Sequence, residues 1–419
     1  MNILVLNSGS SSLKYKFFDM ATEKALLSGH IDGIGLERCL VKMSMDGRKE
    51  ESKALVKDHV DAIILALKSL KDKQVIGSYA DIHAIGHRVV HGGEKYEQPT
   101  LIDEKVIRAI KQLFELAPLH NPPNLAGILA CRKILPSAPQ VAVFDTAFHQ
   151  SMPPEAYLYG LPYELYEKHR IRKYGFHGTS HKYLSEQAAK LLGKKEVKVI
   201  TCHLGNGSSI TAIKDGKSIN TSMGFTPMDG LIMGTRTGSI DPQIPVFLLK
   251  HKQYSLADMQ EIFNKKSGLF GISGLTHDVR DLWKASVKGN SRAKLALSLF
   301  CHRAAFFIGG YIALLGGIDA LVFSAGIGEN AWHIRRRICK YLEPLGVEID
   351  TGLNRKNNSL IISKPSSKAK IFVIPTNEEL QIARETKQLI LEAKPLIKDA
   401  RSSSKRLKEL IKERNEAKN

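Results

Sequence analysis

The 419-residue sequence contains no GxxxxGK[ST] loop, which excludes nucleotide binding of the P-loop type. Cysteine is scarce and scattered. Cys39, Cys131, Cys202, Cys301 and Cys339 are odd in number and never stand in CxxC spacing. That pattern speaks against a disulfide framework or a thiolate zinc site and makes a reducing cytoplasm the expected setting. No HExxH, RRM, KH or zinc-finger pattern occurs. The N-terminus has neither the basic flank nor the long apolar stretch expected of a signal peptide. Long apolar runs are also lacking, except over residues 304–323, where Asp319 is the only charge. Gly316, Gly317 and Asp319 break that run, so it reads as a buried helix, a turn and a core strand rather than a membrane span. Acidic residues are the minority, 42 against 61 lysines and arginines, and the formal charge is +19. Such an excess suits an anionic partner (nucleic acid, acidic lipid or a phosphorylated small molecule) without choosing among them.

What is present is a pattern stated twice. An apolar run at residues 3–6 meets Asn7-Ser8-Gly9-Ser10-Ser11-Ser12, and a strand-like run follows at 13–18. In mid-chain, residues 197–202 meet His203-Leu204-Gly205-Asn206-Gly207-Ser208-Ser209, followed by a strand at 210–213 and a turn at 214–217. Both read as β-hairpins with a Gly/Ser tip. Two further pairs come in the same order. Residues 82–85 run into Gly86, Gly92 and Gly93, as 320–323 run into Gly326 and Gly328. Residues 141–144 end at Asp145, as 371–374 end near Glu378. Helical patterns at 106–116 and 294–315 alternate with these strands. The expectation is an α/β fold of two duplicated lobes with ligands bound beyond the strand ends, in a cleft between them. The lobes are expected at 1–148 plus 380–400 and at 149–379, with 401–419 as a charged, solvated tail.

Glycine lets backbone N–H groups approach an anion closely, and serine hydroxyls add donors. The tips at 7–12, followed by Lys14, and at 203–209 are therefore candidate phosphate cradles. Gly326-Ile327-Gly328-Glu329-Asn330-Ala331 matches GxGxxA, a weak dinucleotide signal that nucleotide contact of another kind or plain helix–strand packing also explains. His87/His91 and His177/His181 each have HxxxH spacing, but glycines adjoin both. Tight-turn packing or anion contact suits them better than zinc. The segment 224–242 is rich in glycine and frames Arg236, a residue able to fork onto an oxyanion.

Together these blocks resemble the acetate kinase family. The resemblance rests on residues 7–14, 87–93, 144–149, 174–181, 203–209, 224–242, 326–330 and 375–380, and it spans about residues 1–390 in the family's order. It implies an actin-like ATPase fold with two ribonuclease-H-like lobes. It also implies reversible transfer of the ATP γ-phosphoryl group to acetate, giving acetyl phosphate and ADP. By resemblance, Arg88 and Arg236 grip the carboxylate and the migrating phosphoryl group, His177 donates to the same oxygens, and Asp145 orients the reactants or acts as an acid–base group. Acetate is already ionised near neutrality, so positioning is the safer role for Asp145. The implied metal is Mg²⁺, with Mn²⁺ as the alternative, held by Asn7 and Glu378 largely through waters. Ser12 and Lys14 face phosphate. Adenosine is expected at His203, Leu204, Gly205, Asn206 and Gly207, at Asp278, Val279 and Arg280, and at Gly326, Ile327, Gly328, Glu329 and Asn330. Many family members carry Phe where this chain has Val279, a smaller apolar side chain expected to alter nucleotide stacking and purine preference. Val90, Leu119, Phe176 and Pro227 are expected around the acetate methyl.

The competing readings are a propionate or butyrate kinase on the same scaffold, an actin-like nucleotide switch, and a nucleic-acid binder. A switch needs no carboxylate clamp of the Arg88, Arg236 and His177 kind, and the nucleic-acid reading rests on charge alone. A homodimer with small-molecule substrates is expected, with no nucleic-acid or membrane partner.

Overall fold

The computed structural model describes residues 1–251, 254–356 and 359–393. The tail expected at 401–419 lies outside the described residues, as does the stretch 394–400. Internal contacts divide the chain into two units. Unit 1 holds Met1–Val89, Gln98–Val143 and the described residues from Glu379 on, and unit 2 holds Val90–Glu97 and Phe144–Glu378.

Among the described residues, unit 1 is built on eight strands, β1 (Asn2–Ser8), β2 (Ser12–Asp19), β3 (Lys24–Asp32), β4 (Cys39–Met45), β5 (Arg48–Ala54), β6 (Ala84–Val89), β7 (Thr100–Leu101) and β8 (Gln140–Phe144). Their order in the sheet is β5-β4-β3-β2-β1-β6-β8-β7. β1 pairs antiparallel with β2 and parallel with β6. Ile3, Leu4, Val5 and Leu6 are fully or almost fully buried, as a strand covered on both faces requires. β5 is charged and exposed, which suits an edge strand. Helix His59–Asp72 packs into the core through Ala62, Ile63, Ala66, Leu67 and Leu70, and Asp58 caps it by accepting from Asp61 N–H. The helix over 378–393 crosses β6 closely. A Cβ on Gly86 would come within 2.5 Å of Thr386 Oγ1 and 2.8 Å of Ile382 Cγ2, so that position needs glycine.

Among its described residues, unit 2 holds five strands, β9 (Lys198–Leu204), β10 (Ser208–Lys214), β11 (Lys217–Thr221), β12 (Ala320–Ser324) and β13 (Lys370–Val373), in the order β11-β10-β9-β12-β13. Here β9 and β10 form the antiparallel hairpin, and β12 lies parallel to both β9 and β13. The order corresponds strand for strand with β3-β2-β1-β6-β8 of unit 1, so the repeated sequence pattern is a repeated topology. The apolar run at 304–323 divides as its glycines require. Helix Ser291–Leu315 ends at Gly316, whose φ of 62° is the left-handed cap, and β12 follows. That helix is long and apolar enough to cross a membrane, yet Ala293, Ala296, Leu297, Phe300, Cys301, Ala304 and Ile308 all lie in the core of unit 2. All five cysteines are free and buried.

Candidate active site

In unit 1 the parallel pairing of β1 with β6 sets Leu6 opposite His87, so Asn7 and Arg88 follow side by side. Arg88 Nη1 donates to Asn7 Oδ1 at 3.4 Å. Next to Arg88 in β6, the buried His87 ring meets the Gln140 amide at 2.8 Å, and burial lowers its pKa to about 4. The hairpin tip after β1 is anchored through its carbonyls. Asn124 Nδ2 donates to Ser8 O at 2.7 Å, and His59 Nε2 donates to Gly9 O at 2.8 Å. Gly9 N–H closes the tip onto Ser12 O at 2.8 Å. Lys14 is exposed on β2 and lines a groove of about 660 Å³ with Lys16, His30 and Lys42. Lys16 pairs with Glu379 at 2.9 Å.

Unit 2 gathers the other candidate groups. His177 is held at φ 57°, a left-handed conformation, as it enters helix Gly178–Leu192. Gly178 follows it because Asp145 O occupies the space a Cβ would need, and Gly178 N–H donates to that same carbonyl at 3.0 Å. Asp145 is buried and accepts from Thr179 Oγ1 at 3.1 Å. The β9–β10 tip is tight, with Gly205 N–H donating to Gly207 O at 3.0 Å. Gly207 lies against both candidate donors. A Cβ there would stand 3.5 Å from His177 Nε2 and 3.7 Å from Arg236 Nη1.

Arg236 donates to Pro227 O at 3.2 Å, and its Nη1 lies 3.9 Å from Met233 Sδ. Burial lowers its pKa from the ordinary arginine value. Met233 belongs to a buried apolar cluster with Val90, Phe176 and Met223. A guanidinium at the edge of such a cluster suits a short carboxylate with an apolar end. Of the residues expected around a methyl group, Val90 and Phe176 lie in the cluster, and Pro227 contributes the carbonyl that holds Arg236. Leu119 is exposed and belongs to unit 1. Met223 and Met233 escaped the sequence reading, although Met233 lies in the glycine-rich segment singled out for Arg236.

A cavity in unit 2, of about 390 Å³, is lined by Gly205, Asn206, Asp278, Val279, Arg280, Gly326, Ile327 and Asn330, joined by His277, Ala331 and His333. Three separated blocks of the expected adenosine site thus share one cavity. Asp278 caps helix Val279–Val287 and chelates Arg280, whose hydrogen bonds pull its carboxyl down to about 2. Leu204 is buried in the core, and His203 stacks on His177 with ring centroids 4.2 Å apart. The carbonyls of Gly328 and Glu329 accept from the buried Arg335, which ties them to the fold. His333 stacks on Trp283 at 4.1 Å. Burial lowers the His333 pKa to about 4, with Arg337 and Arg335 adding to the effect. No sequence motif marked His277 or His333. Glu378 begins the helix over 378–393.

The Acetokinase family profile matches residues 2–384. The acetate kinase of Methanosarcina thermophila is 54% identical over 396 residues, covering 93% of this chain and 97% of that protein. The acetate kinase of Clostridium novyi is 52% identical over 93% of this chain and 98% of that protein. Among solved structures, Porphyromonas gingivalis acetate kinase superposes with a TM-score of 0.88 at 43% identity, covering 93% of this chain and 99% of its own. A Francisella tularensis propionate kinase superposes with a TM-score of 0.88 at 46% identity, covering 92% and 99%. By sequence and by fold, this chain belongs to the acetokinase family.

Proposed function

We infer that the protein is an acetate kinase, transferring the γ-phosphoryl group of ATP to acetate and giving acetyl phosphate and ADP reversibly. One observation carries the reading. The His177 ring and the Arg236 guanidinium converge on the backbone of Gly207, at the edge of the Val90–Phe176–Met223–Met233 cluster. The cluster takes the methyl group and Arg236 takes the carboxylate. The glycine tip admits a phosphoryl group close to its backbone, and His177 donates to an equatorial oxygen. Such transfer needs alignment and positive charge rather than covalent help from the protein. Arg88 of unit 1 is assigned to the same anion. Asp145, fixed by Thr179, serves as an orienting group. ATP places its adenosine in the cavity of Asp278, Val279 and Gly326 and its phosphates near Ser12, Lys14 and the tip at 203–207.

Asn7 and Glu378 are the residues that would hold Mg²⁺. An amide oxygen and a carboxylate are hard donors that suit it. Mg²⁺ keeps several waters, so two such donors are enough to hold it beside the phosphates. When bound, the ion would neutralise charge on the ATP phosphates. The protein is assigned to the cytoplasm, with small-molecule substrates and a homodimeric state.

The propionate kinase likeness keeps a three-carbon acid in view, but the four-residue cluster is small. One methylene is worth about 1–3 kcal/mol of discrimination. ADP release at fixed MgATP, measured across acetate, propionate and butyrate, tests the assignment. Acetate should give the highest kcat/KM; a maximum at a longer acid would reassign the substrate.

A further inference from the structure

Behind His177 runs a buried line of side chains to which no role has been given above. His177 Nδ1 lies 2.8 Å from Ser209 Oγ. The same hydroxyl lies 2.7 Å from His181 Nε2, and His181 Nδ1 lies 2.7 Å from Thr201 Oγ1. Thr201, His181 and Ser209 are all fully buried. Both nitrogens of His181 are therefore engaged, and one hydroxyl serves two rings.

Proton counting gives this line a direction. Ser209 has a single hydroxyl proton, so it donates to one histidine and accepts from the other. If His177 carried its proton on Nδ1, Ser209 would donate to His181 Nε2. His181 would then carry its proton on Nδ1 and donate to Thr201. Among the described residues, the Thr201 hydroxyl makes no other hydrogen bond, so its own proton would be buried without an acceptor, an arrangement native interiors avoid. In the opposite direction every proton is used. Thr201 donates to His181 Nδ1, His181 Nε2–H donates to Ser209, and Ser209 donates to His177 Nδ1. The proton of a neutral His177 then sits on Nε2, the atom facing Gly207 and Arg236. Burial, with His149 and His203 nearby, holds the His181 pKa well below its ordinary value, so this ring carries one proton, as the count assumes.

We propose that Thr201, His181 and Ser209 are positioning residues that fix His177 as the neutral Nε2–H tautomer, a ready donor to an anionic oxygen. The proposal rests on the reading of His177 as that donor. It adds that the donor's polarity is set by a threonine three hydrogen bonds away from it along the line, on the central strand β9. A second bridge steadies the neighbouring ring, where Ser180 Oγ meets His203 Nδ1 and Thr376 Oγ1, each at 2.8 Å. The first line reaches His177 through its own nitrogen.

The test is ¹⁵N NMR of the histidine-labelled full-length protein, with the His177 signal assigned by its loss in His177→Asn. The expected wild-type spectrum shows the proton on Nε2; a proton on Nδ1 would overturn the proposal. Ser209→Ala and Thr201→Val should each convert His177 to mixed tautomers. They should lower kcat by about 10–100-fold, the range outer-shell partners command at other sites, with the KM values for acetate and ATP little changed. Thr201→Ser, which restores the donor, should recover the tautomer and most of kcat. Loss of activity in Ser209→Ala with the wild-type tautomer retained would mean a merely structural role and refute the proposal. Wild-type kcat in His177→Asn would refute the donor reading of His177 itself, while the wild-type tautomer would still report on the relay.

Discussion

Arg88 Nη1 lies 3.4 Å from Asn7 Oδ1 because β1 and β6 run parallel with Leu6 opposite His87. Two strands far apart in sequence thus deliver a cation and a neutral oxygen donor to one sheet end. Removing the fork should be costly. Arg88→Ala is expected to lower kcat/KM for acetate by about 10²–10³, the usual loss for a preorganised donor to a transition-state anion. Arg88→Lys should recover only part, since an ammonium keeps the charge without the planar fork. Steady-state kinetics decide it, and an alanine variant at wild-type activity would contradict the assignment.

If the apolar cluster takes the methyl group as proposed, it sets the acid's length. Val90→Ala removes two methyl groups from a space shared with Phe176, Met223 and Met233. The propionate-to-acetate ratio of kcat/KM should rise about tenfold, within the range one methylene commands. An unchanged ratio would place the methyl group elsewhere.

Gly326 offers a probe, sparing the fold, of the cavity proposed for adenosine. A Cβ there meets nothing within 4 Å. Gly326→Val should leave the melting temperature close to wild type, because the added atoms enter open space. It should raise KM for ATP on the order of tenfold, because that space belongs to the cavity. Thermal melts and ATP titrations at saturating acetate check both halves of this expectation.

Buried histidines make stability depend on acid, His87, His91 and His149 among them. Burial lowers His87, His91 and His149 each to about 4 from the ordinary 6.5. The unfolded chain therefore takes up protons at a higher pH than the folded one. The stabilisation is fully present above about pH 6.5 and is lost as the pH falls toward 4, by up to about 3 kcal/mol for each histidine. Urea midpoints should fall steadily from about pH 7 to about pH 5. His149→Gln should flatten part of that slope, even though it costs stability near neutrality through the lost hydrogen bonds to Ser218 and Phe176.

The sequence carried much of the fold because its signals were local. Gly/Ser tips marked both hairpins, and Gly316-Gly317 marked the end of the long helix. β5 was invisible because its exposed RKEESKA alternates no apolar residue with polar ones. Helix Gln243–Lys250 misleads in the opposite way: QIPVFLLK is mostly apolar, yet the helix buries none of its residues. At the site, charged and glycine-rich motifs stood out, whereas Met223 and His333 did not. An isolated methionine or histidine carries no spacing, and its role comes only from the neighbours that folding supplies. The relay behind His177 shows the same limit. Ser209 and His181 sat inside recognised motifs, but only three-dimensional contact gives them a shared partner.

Direct trapping of the acyl phosphate tests the central claim most directly. Purified protein is incubated with MgATP and acetate in the presence of hydroxylamine, and hydroxamate is quantified against ADP. Acetohydroxamate should form in step with ADP, and more efficiently than the hydroxamates from propionate or butyrate. ATP consumption with no hydroxamate from any of the three acids would contradict phosphoryl transfer to a carboxylate.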